Sequence, residues 1–173
     1  PNNRKLLAQR PYEYSCVDDR GADQEGVKTT SYVAVVGSKA AWQLSKSTTL
    51  KDPKLQGQVW STVMLVEIAD SGIQWTEPKD ICLDDLQAAR PQSALSIHGR
   101  HLHKYSPFYH DALSWQAVFA DGHVRLLPFD GLAGVKLANL LAVGGCNEES
   151  IHLLEKEYLH INWPHCAKGF GIA

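Results

Sequence analysis

The stretch from 114 to 129 constrains this chain more than any other. It reads Ser-Trp-Gln-Ala-Val-Phe-Ala, then Asp121-Gly122, then His-Val-Arg-Leu-Leu-Pro-Phe. Two runs rich in strand-forming residues, broken by Asp-Gly, are a strong short-range sign of a β-hairpin. A two-residue turn sets Ala120 opposite His123 and Phe119 opposite Val124. One face then carries Trp115, Ala117, Phe119, Val124 and Leu126, a core set. The other carries Gln116, Val118, Ala120, His123, Arg125 and Leu127. A bulged three-residue turn would shift the register by one and expose Val124 and Leu126 instead. The two-residue register gathers the apolar set on one side, so it is the expectation.

A hairpin alone is not stable, and the chain offers it partners. Residues 31–36 read as a strand because Tyr32, Val33, Val35 and Val36 favour extended backbone, and Gly37 stops it. Residues 59–68 read as the strongest strand. Trp60, Thr62, Met64, Val66 and Ile68 alternate with Val59, Ser61, Val63, Leu65 and Glu67. Both faces are largely apolar, which places this strand centrally. Residues 47–50 and 73–75 suggest short extended pieces. A short helix is expected over 83–89, where Asp84 and Asp85 suit the positive end of its dipole. Another covers 132–143, with Leu137, Leu140 and Leu141 on one face and Gly144-Gly145 closing it. A third runs over 148–158, with Ile151, Leu154 and Tyr158 in register. The expected fold class is α+β: an antiparallel sheet with short helices. At 173 residues, 44% apolar and 21% charged, the chain suits a single domain over 1–173. Within it, 1–30 is a polar N-terminal segment and 151–173 a C-terminal extension.

Charge narrows the partners. A net charge of −2 leaves no basic field overall, so nucleic acid is not an expected partner. No apolar run approaches the roughly 18–20 residues that span a bilayer. The acidic stretch over 16–25 lacks the ligand spacing of an EF-hand.

Histidine is the main chemical temptation. Five of the eight histidines, His98, His101, His103, His110 and His123, fall in one short region as candidate metal ligands. The first three lie in a stretch that reads as loop. In a strand, His101 and His103 would share a face and ligate together. Yet no H-E-x-x-H occurs, and Asp111 has no carboxylate partner at motif spacing. The favoured reading is therefore surface histidines around a hairpin, with a metal-binding module or metal-dependent enzyme as the alternative. Nucleophilic motifs are missing as well. There is no G-x-S-x-G, Cys82 lies between Ile81 and Leu83, and His165 is adjacent to Cys166 rather than facing it. No glycine pattern matches a phosphate cradle, and no cofactor is expected. Of the five tryptophans, Trp60 and Trp115 belong to the core pattern. Trp75 and Trp163 sit by turn prolines, where a glycan-binding module would expose them. Cysteines stand at 16, 82, 146 and 166. Cys146 and Cys166 can close a loop of about 20 residues, a favourable disulfide length. Three full pairings exist, and buried free thiols are equally compatible with the sequence.

Several landmarks occur together in order. They are Thr30-Ser-Tyr32 with Gly37; Thr62-Val-Met-Leu-Val-Glu67 continuing into Asp70-Ser-Gly-Ile-Gln-Trp-Thr-Glu-Pro78; Phe119-Ala-Asp-Gly-His-Val-Arg-Leu126; and the helix to Gly145 followed by Asn147-Glu148. This series resembles the prepilin-like, pseudopilin-related proteins of planctomycete-type bacteria, over about residues 14–150. That family carries a histidine, nine residues, then Asp-Gly. Here ten residues lie between His110 and Asp121-Gly122. The resemblance implies a pilin-like globular head whose N-terminal helix is absent or truncated in this chain. It also implies a non-enzymatic structural or interaction subunit, exported to the periplasm, cell envelope or cell surface. Protein partners or self-assembly follow from it, with membrane contact only through the missing helix.

Overall fold

The computed structural model describes residues 5–16, 28–44, 46–69, 71–87, 101–103, 112–127 and 134–153. In chain order the main elements are β1 (Tyr32–Val36), β2 (Val63–Glu67), β3 (Ile81–Cys82), α1 (Leu83–Gln87), β4 (His101–His103), β5 (Ala112–Phe119), β6 (Val124–Leu127) and α2 (Gly134–Leu141). The strands form one sheet in the order β3-β1-β2-β5-β4, with β6 also paired to β5. β1 and β3 run parallel; every other pair is antiparallel. The fold is α+β, with a mixed, antiparallel-rich sheet.

One face of the sheet makes the core. Val33 and Val35 of β1, Val63 and Val66 of β2, Trp115, Ala117 and Phe119 of β5, and Leu127 of β6 are all buried. Leu83 and Leu86 of α1 and Leu137, Ala138, Leu140 and Leu141 of α2 join the same cluster. The 3.6-residue period of α2 put those leucines on one stripe, and that stripe is the buried one. Each fully buried aliphatic side chain contributes about 1.5–3 kcal/mol.

β2 is central, between β1 and β5, as its two apolar faces suggested. It begins later than expected, because Val59–Ser61 forms a 3-10 turn. That turn ends the alternation, and Trp60 is 40% exposed rather than in the core. The pairing with β5 also shifts register between Val63 and Leu65. Met64 is the extra residue of this bulge. It lets Val63 and Val66, three apart, both face the core.

The hairpin corrects the expected register. Val118 pairs with Val124 and Trp115 with Leu127, so the loop has three residues. Phe119 N donates to His123 O and Gly122 N to Phe119 O, both at 2.9 Å. Gly122 has φ +87°, the left-handed residue that such a loop requires. Val124 and Leu126 consequently face out, at 59% and 36% exposure, while Leu127 is buried. Arg125 fills the inner face instead, its guanidinium carbon 4.8 Å from the Phe119 ring centroid.

The close of α2 is stitched to the segment before β2. Gly144 N donates to Thr62 Oγ1 and Cys146 N to Ser61 O, each at 3.0 Å. Gly144 has φ +69°, and a Cβ there would lie 1.9 Å from Gln58 Oε1. At Gly145 a Cβ would meet the Asn139 carbonyl at 2.0 Å. Asn147 then caps the helical turn over 148–153, its Oδ1 accepting from Ser150 N at 2.9 Å. Ile151 is half-buried against the core, whereas Leu154 and Tyr158 lie outside the described residues. Residues 47–49 are not a strand, and of 73–75 only Gln74 bridges, to Thr29.

Candidate functional site

The hairpin tip holds the described members of the sequence motif. Asp121 Oδ1 accepts from His123 N at 3.0 Å, and Asp121 Oδ2 lies 3.0 Å from His123 Nδ1. The backbone bond from His123 is the main cause holding the Asp121 carboxyl below its ordinary value. Both residues are exposed. They form a local turn clasp, as Asp-x-His at a loop tip readily does. Their motif partner His110 lies outside the described residues.

The described members of the histidine set, His101, His103 and His123, are not gathered at one place. His101 pairs with Ser114 and His103 with Ala112, at one end of β5. His123 bonds to Phe119, at the other end. Phe119 lies five steps along the strand from Ser114, about 17 Å at roughly 3.4 Å each. One metal ion bound at about 2 Å cannot bridge that span. His98 lies outside the described residues. No group of three or more His, Cys, Asp or Glu suited to a metal occurs among the described residues.

The remaining candidates divide similarly. Cys146 is buried, and burial pushes its thiol up to about 12, so the thiolate is scarce at neutral pH. Its expected partner Cys166 lies outside the described residues, as does Trp163. Trp75 is half-buried; its indole N–H donates to Leu7 O at 3.1 Å and its ring meets Tyr14 edge-on. Trp115 is buried as expected.

What the strands do assemble is an apolar row on the sheet face opposite the core. Ala34 lies opposite Leu65, Leu65 opposite Val118, and Val118 opposite Val124. Directly opposed residues share a face, so these four cross the sheet in line. The first three are half-buried and Val124 is exposed. The neighbouring row runs from Tyr32 and Glu67 to Gln116 and Leu126. Glu67 is buried, and its Oε2 accepts from Gln116 N at 2.9 Å. Burial, reinforced by the Glu67 charge, pushes the Tyr32 phenol up to about 12. Sequence reasoning missed this face because it assigned Val124 and Leu126 to the core. The signal was present in the alternative three-residue register.

No helix among the described residues is long and apolar enough to cross a membrane. No protein-family model matches the chain, and no curated protein or solved structure is significantly similar to it.

Proposed function

We propose that this protein is a non-enzymatic interaction subunit: a pilin-like head, exported to the cell envelope, whose open sheet face receives an apolar helix or a partner surface. The observation that carries the reading is the cross-strand row Ala34, Leu65, Val118 and Val124, flanked by Leu126. Both α1 and α2 pack on the other face. A sheet with one face covered by its own helices and an apolar row crossing the other has apolar surface left for a partner. The order of landmarks shared with the prepilin-like proteins supports the same reading.

A photo-crosslinking residue at position 124, in native cells, tests it. The expected result is protein in the envelope fraction and discrete crosslinked products from position 124. A probe at the exposed Val135 of α2 should not give those products. Cytoplasmic protein, or identical products from both positions, would count decisively against the proposal.

A further inference from the structure

The connection from β1 to β2 is long for a link between antiparallel neighbours. It is nevertheless folded. Gly37 N donates to Trp42 O, and Val143 N donates to Lys39 O at 2.9 Å. Asp52 caps the turn Pro53–Leu55, its Oδ1 accepting from Lys54 N at 3.1 Å. Lys54 Nζ donates to Ala40 O at 3.0 Å and ties the two halves together. Ala40, Ala41 and Leu55 are buried anchors. Held in this way, the connection exposes Leu44 at 74% and Leu50 at 62%, with Trp60 at its end. Large apolar side chains so exposed have a cost in water that a second phase would relieve.

Charge says which phase. Between 38 and 60 the chain has four lysines and one carboxylate, Asp52, although the whole chain is net negative. Lys39 acts on Asp84, and the Lys54 amine is held by Ala40. Lys46 and Lys51 are exposed, and neither pairs with a carboxylate among the described residues.

We infer that this connection docks on a membrane surface rich in anionic headgroups. Leu44, Leu50 and Trp60 enter the boundary between headgroups and acyl chains, and Lys46 and Lys51 meet the phosphates. Aliphatic anchors favour lipid over single-stranded nucleic acid, which stacks on aromatic rings. Trp60 is the one exposed ring among the connection's described residues, and its indole N–H is donated to Gly57 O. This surface shares no residue with the apolar sheet row, so the two proposals stand or fall separately.

Vesicle flotation of the purified protein tests it. The protein should float with phosphatidylcholine vesicles containing about one third phosphatidylglycerol, and at least tenfold less with phosphatidylcholine alone. About 0.5 M salt should release most of it. Lys46→Glu with Lys51→Glu should weaken binding at least tenfold, and Leu44→Ser with Leu50→Ser should weaken it independently. All four positions are exposed, and an unchanged thermal midpoint confirms each variant's fold. Absence of flotation, equal flotation on neutral vesicles, or undiminished binding by the lysine variant overturns the inference. Retention on an oligothymidine without flotation overturns it too.

Discussion

Glu67 shows how much one side chain can decide. A carboxylate on an apolar sheet face is an expensive residue to bury. One of its partners is Gln116 N, beyond the last β2–β5 backbone pair, which donates to it at 2.9 Å. Replacing Glu67 with Ala should therefore cost about 1–2 kcal/mol, since it takes the acceptor from a half-buried donor. Glu67→Gln keeps an acceptor of the same reach and should cost less than half as much. Urea unfolding of the two variants checks this, and equal losses would show that the carboxylate's charge, not the acceptor it offers Gln116, is what matters. Asp121 behaves differently because it is exposed. Its folded carboxyl lies below the ordinary value, so the stability it contributes is present above the unfolded pKa, roughly 4. That contribution is lost as pH falls through the lower folded value. The leading cause is a backbone N–H, which His123→Ala retains. Carbon-detected NMR should thus find Asp121 titrating below 3.8 in the parent and still depressed in the variant. A return to the ordinary value would put the imidazole first.

The hairpin shows where elements outrun their sequence signal. Asp-Gly marked the turn correctly, and the strands on either side followed from β-branched and aromatic residues. Register did not follow, because the same dipeptide serves two loops. The type I′ turn that Asp-Gly favours needs φ above zero at both central residues; the three-residue loop needs it only at Gly122. The apolar count favoured the first register, but it ignored Arg125, which covers Phe119 and frees Val124 and Leu126 to face out. Elements of two or three residues, β3 and β4, carry no periodicity and were illegible. The end of α2 was legible as a Gly-Gly stop, though not its reason. At Gly145 a Cβ would meet three backbone carbonyls, the nearest at 2.0 Å, which cannot swing away. At Gly144 it would meet the end of the Gln58 side chain, which can. Gly145→Ala should consequently cost about 3 kcal/mol, and Gly144→Ala nearer 1 kcal/mol from its positive φ. Thermal melts that rank them in the opposite order would mean Gln58 is pinned.

At the scale of the whole molecule, the histidine cluster and the sheet faces share one lesson. Nearness in sequence put five histidines within a short stretch, but β5 holds His101 and His103 at one of its ends and His123 at the other. Distance along a strand is long, whereas distance across a sheet is short, so a functional surface collects residues from different strands. Ala34, Leu65, Val118 and Val124 come from four strands, so the hairpin register could flag Val124 but no local pattern reveals the row. The two-faced sheet makes a sharp prediction at adjacent positions of β5. Ala117 is fully buried against the core, and Val118 is half-buried on the opposite face. Ala117→Lys forces a charge among Trp115, Phe119 and Val66, which should abolish cooperative folding or cost upwards of 4 kcal/mol. Val118→Lys lets the amine run out along the open face to water and should cost about 1 kcal/mol or less. Urea midpoints measure both. If the second variant were as damaged as the first, the outer face would be sealed by the chain itself and could not receive a partner. If it folds normally yet loses the crosslinks made at position 124, the open face is the assembly surface, and the lysine has blocked it without harming the head.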